Sequence, residues 1–521
     1  MKDKGKTRGS LLVVLTSLLA VFIAAEIAQA VAIDDKRSLE LTAKLQSRVS
    51  LRMQDSEGFT FPLDIAVGNL VQWRNMAYLE VQHDLRYLMG SVDLLKPLKR
   101  WGIEAKYRLV GRFMYEAVYD VGPQAFQDVK EQDKEDIRNF TQQYDLWEFY
   151  FDFSKGPVFF RIGRQNLSWG ETDVFRLMDL INPLDNTFGG PFEDLDDRRI
   201  PLWMLRASYN FGYVGPVAST TLEGFWVPGN WDVRVAPVAP HGTAYAAPLP
   251  EVPVPILYEP PGKAMKNSRW GVRLMGMVAE SVNLSIGHYK SFLDTPSLLW
   301  NVEETGTLIP NAWLAPFWDE VQVTGLALNW WEPMTDVIVR SEMAMFWDEA
   351  VFIPDISTPL GPSGIPIPGL DRLPVQGDKV EKNILRFMIG LDKSLWIRKL
   401  NKLQTFFISL QYFGQYILEY DDRIKQPVPI YPDSSDYIGV REVESVVTML
   451  ANTQYMSGRL TPQMVVAYDV RGAWLVMPSV NCIYEPFRFM IQYSAAAGSF
   501  TNFGLFRDRD QLTFIISYLL N

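Results

Sequence analysis

The chain of 521 residues is 48% hydrophobic, 21% charged and 13% aromatic, with one cysteine and a formal charge of −11. The acidic balance argues against a nucleic-acid partner, which requires clustered positive charge to neutralise phosphates. The lone Cys482 excludes an intramolecular disulfide and any cysteine-built zinc, iron–sulfur or haem site, and three scattered histidines leave little for a metal centre, so no cofactor is expected.

Lys2, Lys4, Lys6 and Arg8 precede an apolar run from Leu11 to Ala25, and the segment ends in Ala28-Gln29-Ala30. A basic start, a short apolar stretch and a small-x-small end describe a secretory signal peptide. The run of about 15 residues is shorter than the roughly 20 that a spanning helix needs. Residues 1–30 are therefore expected to be cleaved, leaving 31–521 as one exported domain. Cleavage removes four basic and two acidic residues and moves the charge from −11 to −13.

From there a period of two governs almost the whole chain. Leu39, Leu41, Ala43, Leu45, Val49 and Leu51 alternate with Glu40, Lys44, Gln46, Arg48 and Arg52. Ile103, Ala105, Tyr107, Leu109, Phe113 and Tyr115 alternate with Glu104, Lys106, Arg108, Arg112 and Glu116. Strands of this length, with one face almost wholly apolar, are expected to face lipid. The alternation predicts about 18 strands, with about 16 as the other count. They fall at 38–53, 68–85, 101–119, 143–154, 157–165, 201–211, 217–227, 268–277, 281–292, 320–331, 335–347, 384–393, 403–417, 444–456, 461–471, 473–484, 486–497 and 510–520.

The connections sort by rim. Those after even strands are mostly tight, as at Lys155-Gly156-Pro157 and Glu332-Pro333-Met334, and those after odd strands are mostly long, at 120–142, 166–200, 228–267, 293–319, 348–383 and 418–443. The tight link near Arg471-Gly472 is the misfit. Short turns on one rim and long loops on the other characterise outer-membrane barrels. The expected fold is thus an all-β, transmembrane, antiparallel up-and-down barrel with inserted loops 166–200, 228–267 and 348–383. Trp101, Trp169, Trp203, Trp226, Trp270, Trp330, Trp331 and Trp347 fall near strand ends, where amphipathic rings form girdles at the headgroup level.

Two long loops are proline-rich, Val227–Met265 and Val351–Gln376, and read either as a stiff lid or as exposed loops without a task. The other face of the strands supplies candidate lumen charges: Arg48, Arg52, Arg74, Glu104, Lys106, Arg108, Arg112, Glu116, Arg340 and Arg386. Mixed signs suit a water-filled passage or a network of ion pairs that plugs it. The run Glu193-Asp194-Leu195-Asp196-Asp197-Arg198-Arg199 reads as self-paired loop charges or as oxygen ligands for a hard cation, without EF-hand spacing. No Gly-x-Ser-x-Gly elbow, His-Glu-x-x-His pair or phosphate-binding glycine loop occurs, so no catalytic residue is assigned.

The stretch RIGRQNLSWGETD, then DLINPLD, then EDLDDRRIPLWMLRASYNF within Arg161–Phe211, together with LEGFWVPG at Leu222 and GLFRDRDQLTF at Gly504, resembles the domain-of-unknown-function 1302 family of bacterial outer-membrane proteins. The resemblance implies an outer-membrane barrel in contact with outer-membrane lipid. It also implies partners of the kind encoded nearby, periplasmic lipid-carrier-like proteins and inner-membrane transporters, and passage of a hydrophobic or lipid-like molecule. It supplies no catalytic residues. The loop 166–200 is expected to fold inward, with Asn182, Asp185, Asp196, Asp197, Arg198 and Arg199 pinning it to lumen charges. The rival expectations are a general porin for small polar or anionic solutes and an outer-membrane lipid-modifying enzyme.

Overall fold

A pleated strand sends successive side chains to opposite faces, so a period-two sequence folds with one face apolar throughout. The computed structural model describes residues 31–32, 38–55, 63–172, 175–240, 242–246, 257–279, 281–303, 311–353, 378–424, 439–499 and 501–520. The expected signal segment 1–30 lies outside the described residues, as do Pro248, Pro250, Pro253, Pro255, Pro354, Pro362 and Pro366 of the two proline-rich loops.

Eighteen strands among the described residues form one closed wall. They are β1 (Leu39–Arg52), β2 (Leu70–Asp84), β3 (Glu104–Glu116), β4 (Gln142–Lys155), β5 (Val158–Gln165), β6 (Leu202–Val214), β7 (Val217–Val227), β8 (Arg269–Val278), β9 (Val282–Phe292), β10 (Glu320–Glu332), β11 (Val337–Phe352), β12 (Lys379–Leu395), β13 (Phe406–Ile417), β14 (Val443–Thr453), β15 (Leu460–Asp469), β16 (Ala473–Tyr484), β17 (Phe487–Gly498) and β18 (Gln511–Leu520). Each is antiparallel to its sequence neighbours, and β18 returns to β1 with Leu45 opposite Tyr518 and Arg52 opposite Gln511, so the sheet has no free side. The two-residue segment Val31–Ala32 adds to β1. A hairpin, Ser297–Glu303 with Asn311–Phe317, belongs to the β9–β10 connection.

Local chemistry explains the turns and the exceptions. Gly156 and Gly215, at φ 56° and 59°, give the left-handed backbone that tight hairpins require. β11 and β12 run past their expected ends, to Phe352 and back to Lys379, because a bulge between Phe346 and Glu349 interrupts the alternation, with Asp348 at φ 55°. The tight link Val470–Gly472 does sit on the long-loop rim. The next loop on that rim covers it, with Asn502 Nδ2 donating to Asp469 Oδ2 at 2.8 Å. On the opposite rim, the β2–β3 connection is longer than its neighbours and holds the short helix Lys96–Arg100.

Leu79, Ile162, Leu274, Ile286, Leu326, Ile389, Leu410 and Ile491 are exposed on the outer face. So large an apolar surface is unsuited to water and matches a hydrocarbon medium. Trp226, Trp270 and Trp347 are exposed toward one rim and Trp330 and Trp331 toward the other, as girdles require. Trp169 is a correction: it is 2% exposed and lies inside the barrel, because the chain turns into the lumen just after β5. Position near a strand end does not distinguish the two sides of the wall.

Leu326 lies midway along β10, between Trp330 and Gln322, which stands opposite Trp347. Leu326→Arg is expected to weaken folding into lipid vesicles by about 2–4 kcal/mol, as cations do at the bilayer midplane. Gln463→Arg, on the lumen face of β15, should be close to neutral in the same urea titration.

Candidate functional site

β5 ends at Gln165 because the chain leaves the wall and crosses the interior before rejoining it at β6. Asn182, fully buried, ties both ends of this loop together. Its Oδ1 accepts from the Leu167 amide at 2.8 Å, and its Nδ2 donates to the carbonyls of Ile200 at 2.8 Å and Gln165 at 3.3 Å. A second closure follows, in which the Asp185 amide donates to Arg198 O and the Ile200 amide to Pro183 O, each at 2.8 Å. The Asp185 carboxylate accepts from the Thr187 amide at 3.0 Å and shapes the turn. Buried loops carry backbone groups that water cannot reach, and here the wall and the loop itself supply the partners.

The loop touches the wall on several sides. Glu193 meets Arg74 at 2.7 Å and Arg48 at 3.4 Å, and Asp197 lies 3.9 Å from Arg48. Gln72 of β2 donates to Phe188 O at 2.7 Å, and Gln492 of β17 donates to Phe192 O at 3.1 Å. Across the lumen, Trp169 Nε1 donates to Glu223 at 2.9 Å, and Tyr289 and Ser291 donate to the carbonyls of Met178 and Leu180 at 2.9 and 2.7 Å. Glu342 accepts from the amides of Glu171 and Met178, and Arg340 donates to Glu171 O at 2.7 Å. Leu167, Trp169, Leu177, Met178, Leu180 and Ile181 also pack on an apolar patch of inner wall built from Phe225, Tyr289, Val321, Val323, Ala344 and Phe346.

Burial alone would push the Glu193 carboxyl up, but Arg74 and Arg48 outweigh it and hold it down at about 2. Arg199 pairs with Asp179 at 2.5 Å and with Asp196 at 2.8 Å. Asp196 is itself 91% exposed along its side chain, so it belongs to the loop without being buried by it. Within the acidic run Glu193, Asp196, Asp197 and Arg199 are thus ion-paired, whereas Asp194 and Arg198 form no salt bridge among the described residues. No group of three or more metal-ligating side chains occurs among the described residues.

The other expected lumen charges divide by height. Arg108 spans Glu80 and Glu148 at 2.9 and 3.1 Å, Arg112 pairs with Asp145 at 3.2 Å over the Trp147 ring, and Arg386 pairs with Glu349 at 2.7 Å. These are wall-to-wall pairs. Arg340 combines both roles, meeting Asp392 at 2.8 Å as well as the loop. Arg52 donates to Asp508 O at 2.9 Å, and Glu116 accepts from the amides of Trp73 and Val118 at 2.6 and 3.3 Å, so these two order backbone at the long-loop rim. Glu104 and Lys106 stand exposed near the other rim, within 4 Å of Arg86 and Asp84 respectively. Gln72, Glu223, Tyr289 and Ser291 were not singled out from the sequence; their only signal is that they share parity with inward neighbours.

A cavity of about 620 Å³ remains between the loop and strands β11–β16. Phe346, Phe352, Ile384, Ile417, Val465 and Leu475 give it an apolar wall, and Arg176, Glu193 and Arg198 form a charged side on the loop. The β7–β8 connection reaches over the mouth. The Trp203 amide donates to Asp232 at 2.9 Å near its start, Trp318 donates to Ala236 O at 3.0 Å, and Tyr245 donates to Gln511 of β18 at 2.7 Å on the far side. Ala244 joins the apolar cluster of Val118, Tyr119, Phe126 and Ile137 in the β3–β4 connection.

Solved structures of similar shape include Pseudomonas aeruginosa OccK9 (OpdG), with TM-score 0.48 and 10% identity over 92% of this chain and 98% of that one. The Pseudomonas aeruginosa outer membrane protein opdK gives TM-score 0.45 and 9% identity over the same shares. Acinetobacter baumannii OccAB3 gives 0.46 and 10%, again over 92% and 98%. No curated protein matches the chain. The family model described as protein of unknown function (DUF1302) matches residues 11–520, nearly the whole length, and the chain belongs to that family.

Proposed function

We propose that the protein is an outer-membrane channel that passes a hydrophobic or amphipathic, lipid-like molecule as part of a trans-envelope system. The observation that carries this reading is the cavity beside the loop, where the apolar patch Phe346, Phe352, Ile384, Ile417 and Val465 adjoins charged groups of the loop and ion pairs of the wall. An aqueous pore for small polar solutes has a polar interior and no use for an apolar patch on its inner wall. A periplasmic lipid-carrier-like protein and an inner-membrane transporter are the partners this reading calls for, because a lipid-like molecule cannot cross the aqueous periplasm unaided. The porin alternative draws on the arginines of the inner face, yet most of these are already paired with carboxylates. An enzymatic reading finds no histidine on the lumen face among the described residues. His83 and His288 both stand on the outer face, the latter bonded to Thr324 at 2.9 Å beside Trp270.

Purified protein in liposomes is expected to move a long-chain fluorescent amphiphile while showing little ion conductance in planar bilayers. Conductance like that of an open porin would sink the proposal in favour of the porin. Asn182→Ala removes the clip and leaves buried groups unpaired at about 1–3 kcal/mol each. It is expected to raise single-channel conductance and to expose the loop to protease, with the wall still folded by circular dichroism.

Glu193 adds a pH dependence. Its folded-state value of about 2 lies below the ordinary 4.5, so its ion pairs contribute fully above pH 4.5 and are lost as the pH falls through about 2. Thermal unfolding between pH 5 and 2 should therefore fall more steeply for the natural protein than for Glu193→Gln; equal slopes would remove Glu193 from the role given to it.

A further inference from the structure

Four arginines line the cavity, and three of them are ion-paired: Arg176 with Asp294 at 3.0 Å, Arg386 with Glu349 at 2.7 Å and Arg471 with Glu444 at 3.0 Å. Arg198 is different. Its Nη1 donates to Asn186 Oδ1 at 2.6 Å, its Nε has no hydrogen-bond partner, and no carboxylate lies within 4 Å of it among the described residues. The residue is only 8% exposed. A buried guanidinium in this state is incompletely satisfied, and burial pushes it down from its usual range. The nearby carboxylates are otherwise engaged: Glu193 by Arg74 and Arg48, and Asp294 by Arg176 and the Leu184 amide. Asp194 also lines the cavity and, among the described residues, forms no salt bridge, so its charge opposes an incoming anion.

We infer that Arg198 is the subsite for the anionic head of an amphipathic ligand, a carboxylate or phosphate, whose tail lies along Phe346, Phe352, Ile384, Ile417 and Val465. Resting on the channel reading above, this names the head group that the passing molecule carries. A planar guanidinium with free donors is shaped for two oxygens of such a head. The volume falls within the roughly 300–1,000 Å³ of small-molecule sites.

Binding of palmitate, hexadecyl phosphate and hexadecanol to full-length protein in nanodiscs tests it. The natural chain should prefer one or both anions over the alcohol, and whichever binds more tightly identifies the head. Arg198→Met should weaken the preferred anion by about tenfold or more with the alcohol unchanged, Arg198→Lys should restore part of it, and Asp194→Asn, which leaves Arg198 intact, should tighten it. Equal binding of acid, phosphate and alcohol by the natural chain, or an unchanged preference in Arg198→Met together with Asp194→Asn, overturns the subsite while leaving the channel standing. Failure of the liposomes to move any amphiphile overturns the channel itself.

Discussion

Backbone amides and carbonyls have no partner in hydrocarbon, and this one constraint shapes the rest of the molecule. It requires that β18 find β1, because an open sheet would leave a row of donors and acceptors in lipid. Closure then separates the two faces of every strand into two solvents. Leu79, Ile286 and Leu326 are stable outside because lipid replaces a core, while Arg48, Arg74 and Arg340 are stable inside because carboxylates and carbonyls replace water.

The same constraint explains how a loop can lie inside the barrel. A polypeptide buried in the lumen brings many polar backbone groups with it, and each needs a partner. Asn182 satisfies three of them at the loop's own neck, and Tyr289, Ser291, Glu342, Gln72 and Gln492 satisfy others from the wall. Ionic and apolar contacts play distinct parts. Glu193 between two arginines fixes one side of the loop, and the Trp169–Met178–Ile181 face gives the other side its area.

Most of the wall was legible in the sequence because period two is a local property. Each strand carries its own record of which face meets lipid, as in Leu39–Arg52 and Glu104–Glu116. The record fails where a bulge adds a residue, which is why β11 seemed to stop at Trp347. The interior was less legible. Arg48 and Arg74 could be placed by parity and by charge, but their partner Glu193 lies 119 residues from Arg74 in sequence and no local pattern joins them. Trp169 was misplaced for the same reason: amphipathic character suits a membrane rim and a lumen contact to Glu223 equally well. The cavity is a by-product of how two distant segments fit, and nothing in either segment alone encodes it.

The position of the inward loop also bears on how the two ends of the chain are held together. The loop comes early in the chain, and its charged tip binds Arg74 near the N-terminus while its Phe192 carbonyl is held by Gln492 near the C-terminus. The loop therefore links the two ends of the chain through the interior as well as along the seam, and a barrel closed around an empty lumen would lack that second tie.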